Sequence, residues 1–436
     1  MAESVSKRQK PSDDRGVSDD DNDRFSDLPD QLLSHILSFL PTKQAVATSV
    51  LSKRWRPQWL YTQSFDFEEQ HFTTKGSFRY FADHFANAFL ASRREPIKRF
   101  RLDCVVSNYK KSEHYVNEWI NAGIGRGIER FEIERLPINF LLSSEIFACR
   151  SLVVLKLSCV KLKAISSLTS LPSLKILQLR DVLFSCAASI HNLLSAGRSL
   201  LEDLVASNIG CSDFFPIPLI EDFPNLISAH FQNCWYSELL PALSNVKYLR
   251  YDEITGYHPP GELDCTPVFR NLVHMKLYFG YYHWKFVATI LQNSPTLEIL
   301  EIFIRLREYR RSVGDRNKHF VAPRSLSPHL RKCYVEGFEV KECECMLRFA
   351  RYIMQNAGDL HTFTIRTRPT LTSEAKSDVS RRKSKSVKAP KVSLSRAELG
   401  CNAGLDCIAV LNTTNQILGP AYIAAFTLIT KGDLNT

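Results

Sequence analysis

No short motif of a catalytic or nucleotide-binding centre occurs in this 436-residue chain. A GxSxG elbow, a GxxxxGK[ST] phosphate loop, an HExxH helix and a Gly-rich dinucleotide turn after a strand are all missing, so hydrolase, NTPase, zinc-protease and dehydrogenase chemistry have no readable foothold. Gly123, Gly125 and Gly127 lack the spacing and following lysine of a phosphate loop, and are expected to form a loop between structural units. His114, His258 and His361 have no candidate partners in sequence order, and lone histidines are usually structural or merely exposed. The expectation is a protein with no catalytic residue, no cofactor and no enzymatic activity.

The twelve cysteines run from Cys104 to Cys407 without a CxxC pair, and Cys343 with Cys345, or Cys401 with Cys407, lack zinc-site spacing and histidine neighbours. No metal is expected. With no secretory signal at the start, the thiols are read as reduced, in nucleus and/or cytoplasm. No apolar run approaches the twenty residues of a membrane span; the best, from Ile417 to Ile429, is short and interrupted by Gly419-Pro420. The net charge of +10 is spread thinly, with both signs interspersed, where a nucleic-acid binder would gather a basic face with aromatics in it. Neither membrane nor nucleic acid is an expected partner.

What the chain does have begins at residue 24. Leu28-Pro29-Asp30 suits a helix start, because proline loses no hydrogen bond in the first turn and aspartate complements the dipole there. Leu32, Leu33, Ile36, Leu37 and Leu40 then keep helical spacing until Pro41. Thr42 is placed to cap a second helix with Ala45 and Val46, and Ser52 a third with Trp55 and Trp59. Three short helices with this many large apolar residues cannot bury them alone, and each buried one contributes roughly 1.5–3 kcal/mol. The surplus belongs against more of the chain or against a partner.

This stretch resembles an F-box of the plant F-box/FBD/LRR family, through Leu28-Pro29-Asp30, Ile36-Leu37, Leu40-Pro41-Thr42-Lys43, the run from Ala45 to Ser49 and Val50-Leu51-Ser52-Lys53-Arg54-Trp55. Gln44 and Ala47 stand where acidic and basic residues are common in such proteins. The resemblance implies docking on the Skp-type adaptor of a cullin-RING ubiquitin ligase. The residues expected to make that contact are Leu28, Pro29, Leu32, Ile36, Leu37, Leu40, Pro41, Val46, Leu51 and Trp55.

Further on the chain repeats. A pattern big-x-x-big-x-big starts at Ile97, Ile128, Leu152, Leu174, Leu201, Leu226, Val246, Leu272, Leu297, Leu330 and Leu360, mostly at leucine-rich-repeat intervals of about 20–29 residues. Each unit predicts one short parallel strand and a returning segment, helical where Ile190, Leu193 and Leu194, or Phe286, Val287, Ile290 and Leu291, keep helical spacing. The usual asparagine is replaced by Val160, Val182 and Ile209. From Val335 to Ile365, with Gly337-Phe338, a helix from Cys345 to Asn356, and Phe363-Thr364-Ile365, the sequence resembles an FBD region, although its usual tryptophan-proline segment is not evident.

The expected fold is therefore α/β: a leucine-rich-repeat solenoid, or horseshoe, preceded by a small three-helix F-box. Its expected divisions are a disordered segment 1–23, the F-box 24–65, a linker and capping helix 66–95 with Phe78, Phe81, Phe85 and Phe89 on one face, repeats 96–329, FBD-like terminal repeats 330–369, and a basic linker and tail 370–436 of unknown structure. An alternative gives the residues from Ile417 to Ile429 the task of capping the last repeat.

In such a stack one strand position faces outward in every unit: Arg101, Glu132, Lys156, Gln178, Val205, His230, Arg250, Lys276, Glu301, Tyr334 and Thr364, a mostly polar column expected to face solvent. On two adjacent units Tyr248, Arg250, His274, Lys276 and Tyr278 form a basic and aromatic cluster, the candidate substrate-binding residues, since aromatics and arginine are favoured anchors. Nearby Tyr281, Tyr282, His283 and Trp284 are expected to pack a loop rather than bind. The resemblance implies a substrate-recognition adaptor of a Skp-cullin-F-box ligase. Its alternatives are a receptor whose repeat cavity takes a small molecule, and a non-proteolytic interaction scaffold.

Overall fold

In the computed structural model, the residues described are 28–68, 96–103, 109–136, 140–213, 218, 220–233, 239–253, 266–279, 284–304, 320–338, 343–367, 408–411 and 425–429. The segment 1–23, the aromatic stripe from Phe78 to Phe89 and the linker 370–400 lie outside them. The chain divides at Thr62 into two units, described separately.

In the first unit, helix α1 (Asp30–Leu37) starts from Pro29, whose carbonyl accepts the amides of Leu32 and Leu33, with Asp30 in the first turn. Helix α2 (Thr42–Ala47) repeats the device from Pro41. Thr42 is consequently not the cap the sequence led us to expect: it is the first helical residue, and it is buried. Leu33, Leu37 and Ala45 form the small interior. Instead of a third helix, a turn follows Ser52, whose Oγ accepts the Trp55 amide at 3.3 Å, and then a single 3-10 turn, Gln58–Tyr61. Pro57 explains the difference, because it disfavours helical geometry at Arg56 and supplies no amide to continue the ladder. Arg54 closes the unit by donating to Asp30 Oδ1 (3.0 and 2.8 Å) and to the Leu28 carbonyl, which fixes the start of α1.

The second unit is built on one sheet. Its strands are β1 (Ser64–Glu68), β2 (Arg99–Asp103), β3 (Arg130–Glu134), β5 (Val154–Ser158), β7 (Ile176–Arg180), β9 (Asp203–Ser207), β11 (Ser228–Gln232), β12 (Tyr248–Glu253), β13 (His274–Phe279), β14 (Ile299–Ile304), β15 (Lys332–Phe338) and β16 (Thr362–Thr367). All pair in parallel with their neighbours in chain order. All three residues of every predicted triplet are buried. The first strand was not in the predicted repeat series: residues 66–68, assigned to the linker division although a strand or turn is expected from Phe65, belong to β1.

Two strands from the tail, β17 (Ile408–Leu411) and β18 (Ala425–Ile429), extend the sheet beyond β16 in antiparallel sense, β18 pairing β16. A second ladder is formed by the two-residue strands β4 (Leu141–Leu142), β6 (Lys161–Leu162), β8 (Leu183–Phe184) and β10 (Gly210–Cys211), which pair with one another in parallel. Val160 and Val182, in the asparagine position, are buried at its entrance.

Between the strands and these short segments the chain turns through a left-handed residue in five successive repeats: Arg135, Cys159, Asp181, Asn208 and Asn233. Asn and Asp tolerate that conformation best. Asn233 Nδ2 donates to Asn208 Oδ1 and Asn208 Nδ2 to Asp181 Oδ1, each at 2.9 Å, so three of the turns are stitched by side chains.

The returning segments include helix α3 (Tyr109–Ile124), unforeseen, and the foreseen helices α4 (Ala187–Gly197), α5 (Trp284–Gln292) and α6 (Cys343–Asn356). The three-glycine stretch is not a loop throughout: Gly123 and Ile124 end α3, and Gly127 turns the chain at φ +75°. Trp284 is buried in α5 against Phe320 and Phe349, 5.6 and 5.2 Å between ring centres. Tyr281, Tyr282 and His283 lie outside the described residues. In the FBD-like region, β15 carries a bulge at Gly337, φ +92°, where an added Cβ would stand 2.1 Å from the Ile304 carbonyl oxygen.

Candidate functional site

The first unit presents apolar side chains that its small interior does not cover. Phe39 is 69% exposed, Val50 87% and Leu51 64%, with Leu32, Ile36 and Pro29 also exposed. The amphipathic spacing of α1 causes this: Leu33 and Leu37 turn inward and Leu32 and Ile36 outward. Among the ten expected contact residues, Leu28, Leu40, Pro41, Val46 and Trp55 are half-buried. Leu37, 1% exposed, belongs to the interior and supports the face from behind. Phe39 and Val50 were overlooked because the helical pattern accounts for neither.

In the second unit the predicted column is continuous. Register pairs run from Asp66 through Arg101, Glu132, Lys156, Gln178, Val205, His230, Arg250, Lys276, Glu301 and Tyr334 to Thr364. It is not an open solvent column, since Asp66, Glu132 and Val205 are buried. Its charges pair with one another or with carboxylates two positions along the same face.

At the β1 end, Arg101 donates to Asp66 (3.1 Å), Glu68 (3.3 Å) and Asp103 (3.3 Å), and Arg135 grips Asp103 through both oxygens at 2.5 and 2.6 Å. Burial raises the Asp66 carboxyl despite Arg101 and Arg99. Burial also works to raise Glu132, but Arg130 at 2.6 Å and Lys156 at 3.5 Å overcome it and hold the carboxyl low. Arg130, Arg135, Asp66, Glu68 and Asp103 lay outside the predicted column.

The candidate cluster is assembled as expected on β12 and β13, in the register pairs Tyr248 with His274 and Arg250 with Lys276, and Tyr278 lies beside Asp252. Its cations are not bare. Arg250 Nε donates to both Asp252 oxygens (3.0 and 3.1 Å) and Nη2 to one (2.6 Å), with His230 Nε2 3.5 Å away on the other side. Glu301 takes His274 Nε2 at 2.8 Å and Lys276 Nζ at 3.0 Å. Burial would raise Asp252 and Glu301, but their cationic and imidazole partners hold both low.

Beneath the cations lies a row of rings: Tyr278 stacks on Phe303 at 4.5 Å, and Phe303 meets Tyr334 at 5.4 Å. Arg250 sits 4.7 Å above the Tyr278 ring, Lys276 4.9 Å above Phe303 and Arg366 5.5 Å above Tyr334. Tyr278 is thus a buried floor, whereas Tyr248 is half exposed, edge-on to His274. Asp252, Phe303 and Tyr334 share this face by two-residue alternation along their strands. That rule, extended by one position, would have found Asp252 and Phe303. Among the described residues no group of three His, Cys, Asp or Glu could hold a metal ion, and no helix is long and apolar enough to cross a membrane.

The described residues thus give an N-terminal unit with an uncovered apolar face and a repeat sheet with a charged and aromatic face. Residues 25–61 match the F-box domain family. The chain is 27% identical over 419 residues to F-box/FBD/LRR-repeat protein At4g00160 of Arabidopsis thaliana, covering 83% of this chain and 90% of that one. It is 30% identical over 350 residues to F-box/LRR-repeat protein At1g06630 of the same plant, covering 64% and 84%, and 28% identical over 394 residues to its FBD-associated F-box protein At4g10400, covering 79% and 93%. The chain belongs to the plant F-box/FBD/LRR-repeat family. Proteins of this kind are generally adaptors rather than enzymes.

Proposed function

We propose that this protein is the substrate-recognition subunit of a Skp-cullin-F-box ubiquitin ligase, acting in nucleus and/or cytoplasm. Its F-box docks on a Skp-type adaptor, and its repeat region, a leucine-rich-repeat horseshoe with FBD-like terminal repeats, binds the target on the strand face. No bond is made or broken by this chain. The rate gain comes from holding a target close to a ubiquitin-loaded partner, which converts an encounter between molecules into one within a complex.

The observation that carries the reading is the apolar face of the first unit. Phe39, Val50, Leu51, Leu32, Ile36 and Pro29 are exposed on a unit that also matches the F-box domain. Exposed leucines of this size cluster where a partner covers them. Burying each in a partner contributes roughly 1.5–3 kcal/mol. The double change Leu32→Asp and Leu51→Asp alters two exposed positions and leaves Leu33, Leu37 and Ala45 in place. Loss of co-purification with a Skp-type adaptor, with unchanged circular dichroism, is the expected result. Undiminished co-purification would sink the proposal.

A further inference from the structure

The strand face has two ends of different character. From β1 to β5 the arginines Arg101, Arg130 and Arg135 lie in contact with the carboxylates Asp66, Glu68, Asp103 and Glu132, and all four carboxylates are buried. From β12 to β16 the same order of acid below and cation above recurs, but here aromatic rings join the acids in the floor. The Asp252 side chain is 4% exposed and the Arg250 side chain above it 43%. Glu301 is likewise less exposed than Lys276.

Arg250 and Lys276 are register neighbours. Two like charges directly opposite on adjacent strands repel. Each is held nonetheless, by its own carboxylate and by an aromatic ring below. The result is a pair of ordered cations in the outermost layer, with Lys332 and Arg366 exposed two and three strands beyond Lys276 and the half-exposed rings of Tyr248 and Tyr334 on either side. An approaching anion meets the more exposed cations before their counter-charges, so its attraction exceeds its repulsion.

Building on the adaptor reading, we propose that this part of the face, centred on Arg250 and Lys276 with Tyr248 at its edge, receives an acidic segment of the target protein that also carries aromatic side chains. Carboxylates of the segment pair with Lys276 and Arg250, whose side chains need no ordering on binding, and its rings pack against Tyr248 and Tyr334.

The probe is a fluorescein-labelled random copolymer of glutamate and tyrosine, followed by fluorescence anisotropy with the full-length protein. Binding tighter than to polyglutamate, weakening with salt, is expected. Lys276→Met, which keeps the packing on Phe303 but removes the charge, should weaken it roughly three- to fivefold, as the loss of one partly exposed ion pair does. Tyr248→Ser, at a half-exposed position, should weaken the copolymer but not polyglutamate. Arg180→Ser removes an exposed charge from the same face, three strands off, and should change little. Equal loss with Arg180→Ser, no loss with Lys276→Met, or tighter binding of labelled oligothymidine would overturn the proposal. Adaptor co-purification is measured on the same variants: its absence in the wild type condemns the adaptor reading, whereas its presence with no copolymer binding condemns only the acidic segment.

Discussion

Replacing Asp252 by Asn tests both the stability and the order of the binding face. The carboxylate is 4% exposed and receives three donor contacts of 2.6–3.1 Å from Arg250, with His230 at 3.5 Å. Hydrogen bonds to a charged group contribute roughly 1.5–3 kcal/mol each, but Arg250 is 43% exposed and can turn to water when its partner is gone, which discounts the total. The isosteric amide keeps one acceptor oxygen. A net loss of about 2 kcal/mol follows.

The pH dependence has a definite sign. Burial acts to raise the Asp252 carboxyl, but His230 and Arg250 overcome it and hold it below its ordinary 3.8, so between the two values the unfolded chain binds more proton than the folded one. The stabilisation is complete above about pH 5 and is lost as pH falls through the folded value. Urea unfolding at pH 7 should therefore show the variant's midpoint lowered by roughly 0.7–1 M at a slope of 2–3 kcal/mol/M, and the gap should narrow below about pH 4. Coincident midpoints at pH 7, or a gap that widens in acid, would refute the reasoning.

Three further outcomes follow from the geometry. Leu177→Asp buries an unpaired charge at a fully covered strand position and should cost about 3–5 kcal/mol, whereas Gln178→Asp, half-buried beside Asp203 and losing its 3.2 Å hydrogen bond, should cost about 1 kcal/mol; equal melting temperatures would remove the register. Gly337→Ala places a methyl group 2.1 Å from the Ile304 carbonyl oxygen at φ +92°, and a loss of at least about 3 kcal/mol in urea unfolding is expected, with native stability counting against the bulge. Cys159→Asn should raise the melting temperature by the equivalent of roughly 1 kcal/mol, because asparagine suits φ +56° better and reaches the free side of the Asp181 carboxylate, adding a rung to the ladder of Asp181, Asn208 and Asn233; an unchanged or lowered melting temperature would show that the turn stores no strain.

The strands were legible because every repeat spends the same three positions on the interior. A triplet such as Leu174, Leu177 and Leu179 needs no tertiary knowledge to be recognised, and eleven in one phase also fix the parallel register, since a one-residue slip would turn buried leucines outward. Strand β1, expected from Phe65 onward only as a strand or turn, falls outside the repeat series because its leading position is Thr62, three residues before Phe65, where the other units carry a large aliphatic. Helix α3 escaped although Val116, Trp119, Ile120 and Gly123 hold the i, i+3, i+4, i+7 spacing and are all buried. Its polar first turns, through Lys110, Lys111 and Ser112, masked the short apolar stripe.

The face was half legible for a different reason. Alternation tells which side chains share a surface, so the column and the cluster around Arg250 emerged directly. It says nothing of which charge a cation chooses. Arg250 has Asp252 two residues ahead on its own strand, and Lys276 has Glu301 opposite it on the next; in one case the pairing is along the strand and in the other across it. The choice depends on depth: Asp252 is too buried to be left to water, so it draws the one side chain long and forked enough to reach it through two donors. Lys276, shorter of donors and seated over Phe303, shares Glu301 with His274. A cluster that reads as basic in sequence is therefore nearly neutral as a sum and positive only at its outer layer. The proposed preference of this face for an anion rests on that layering, which no one-dimensional pattern records.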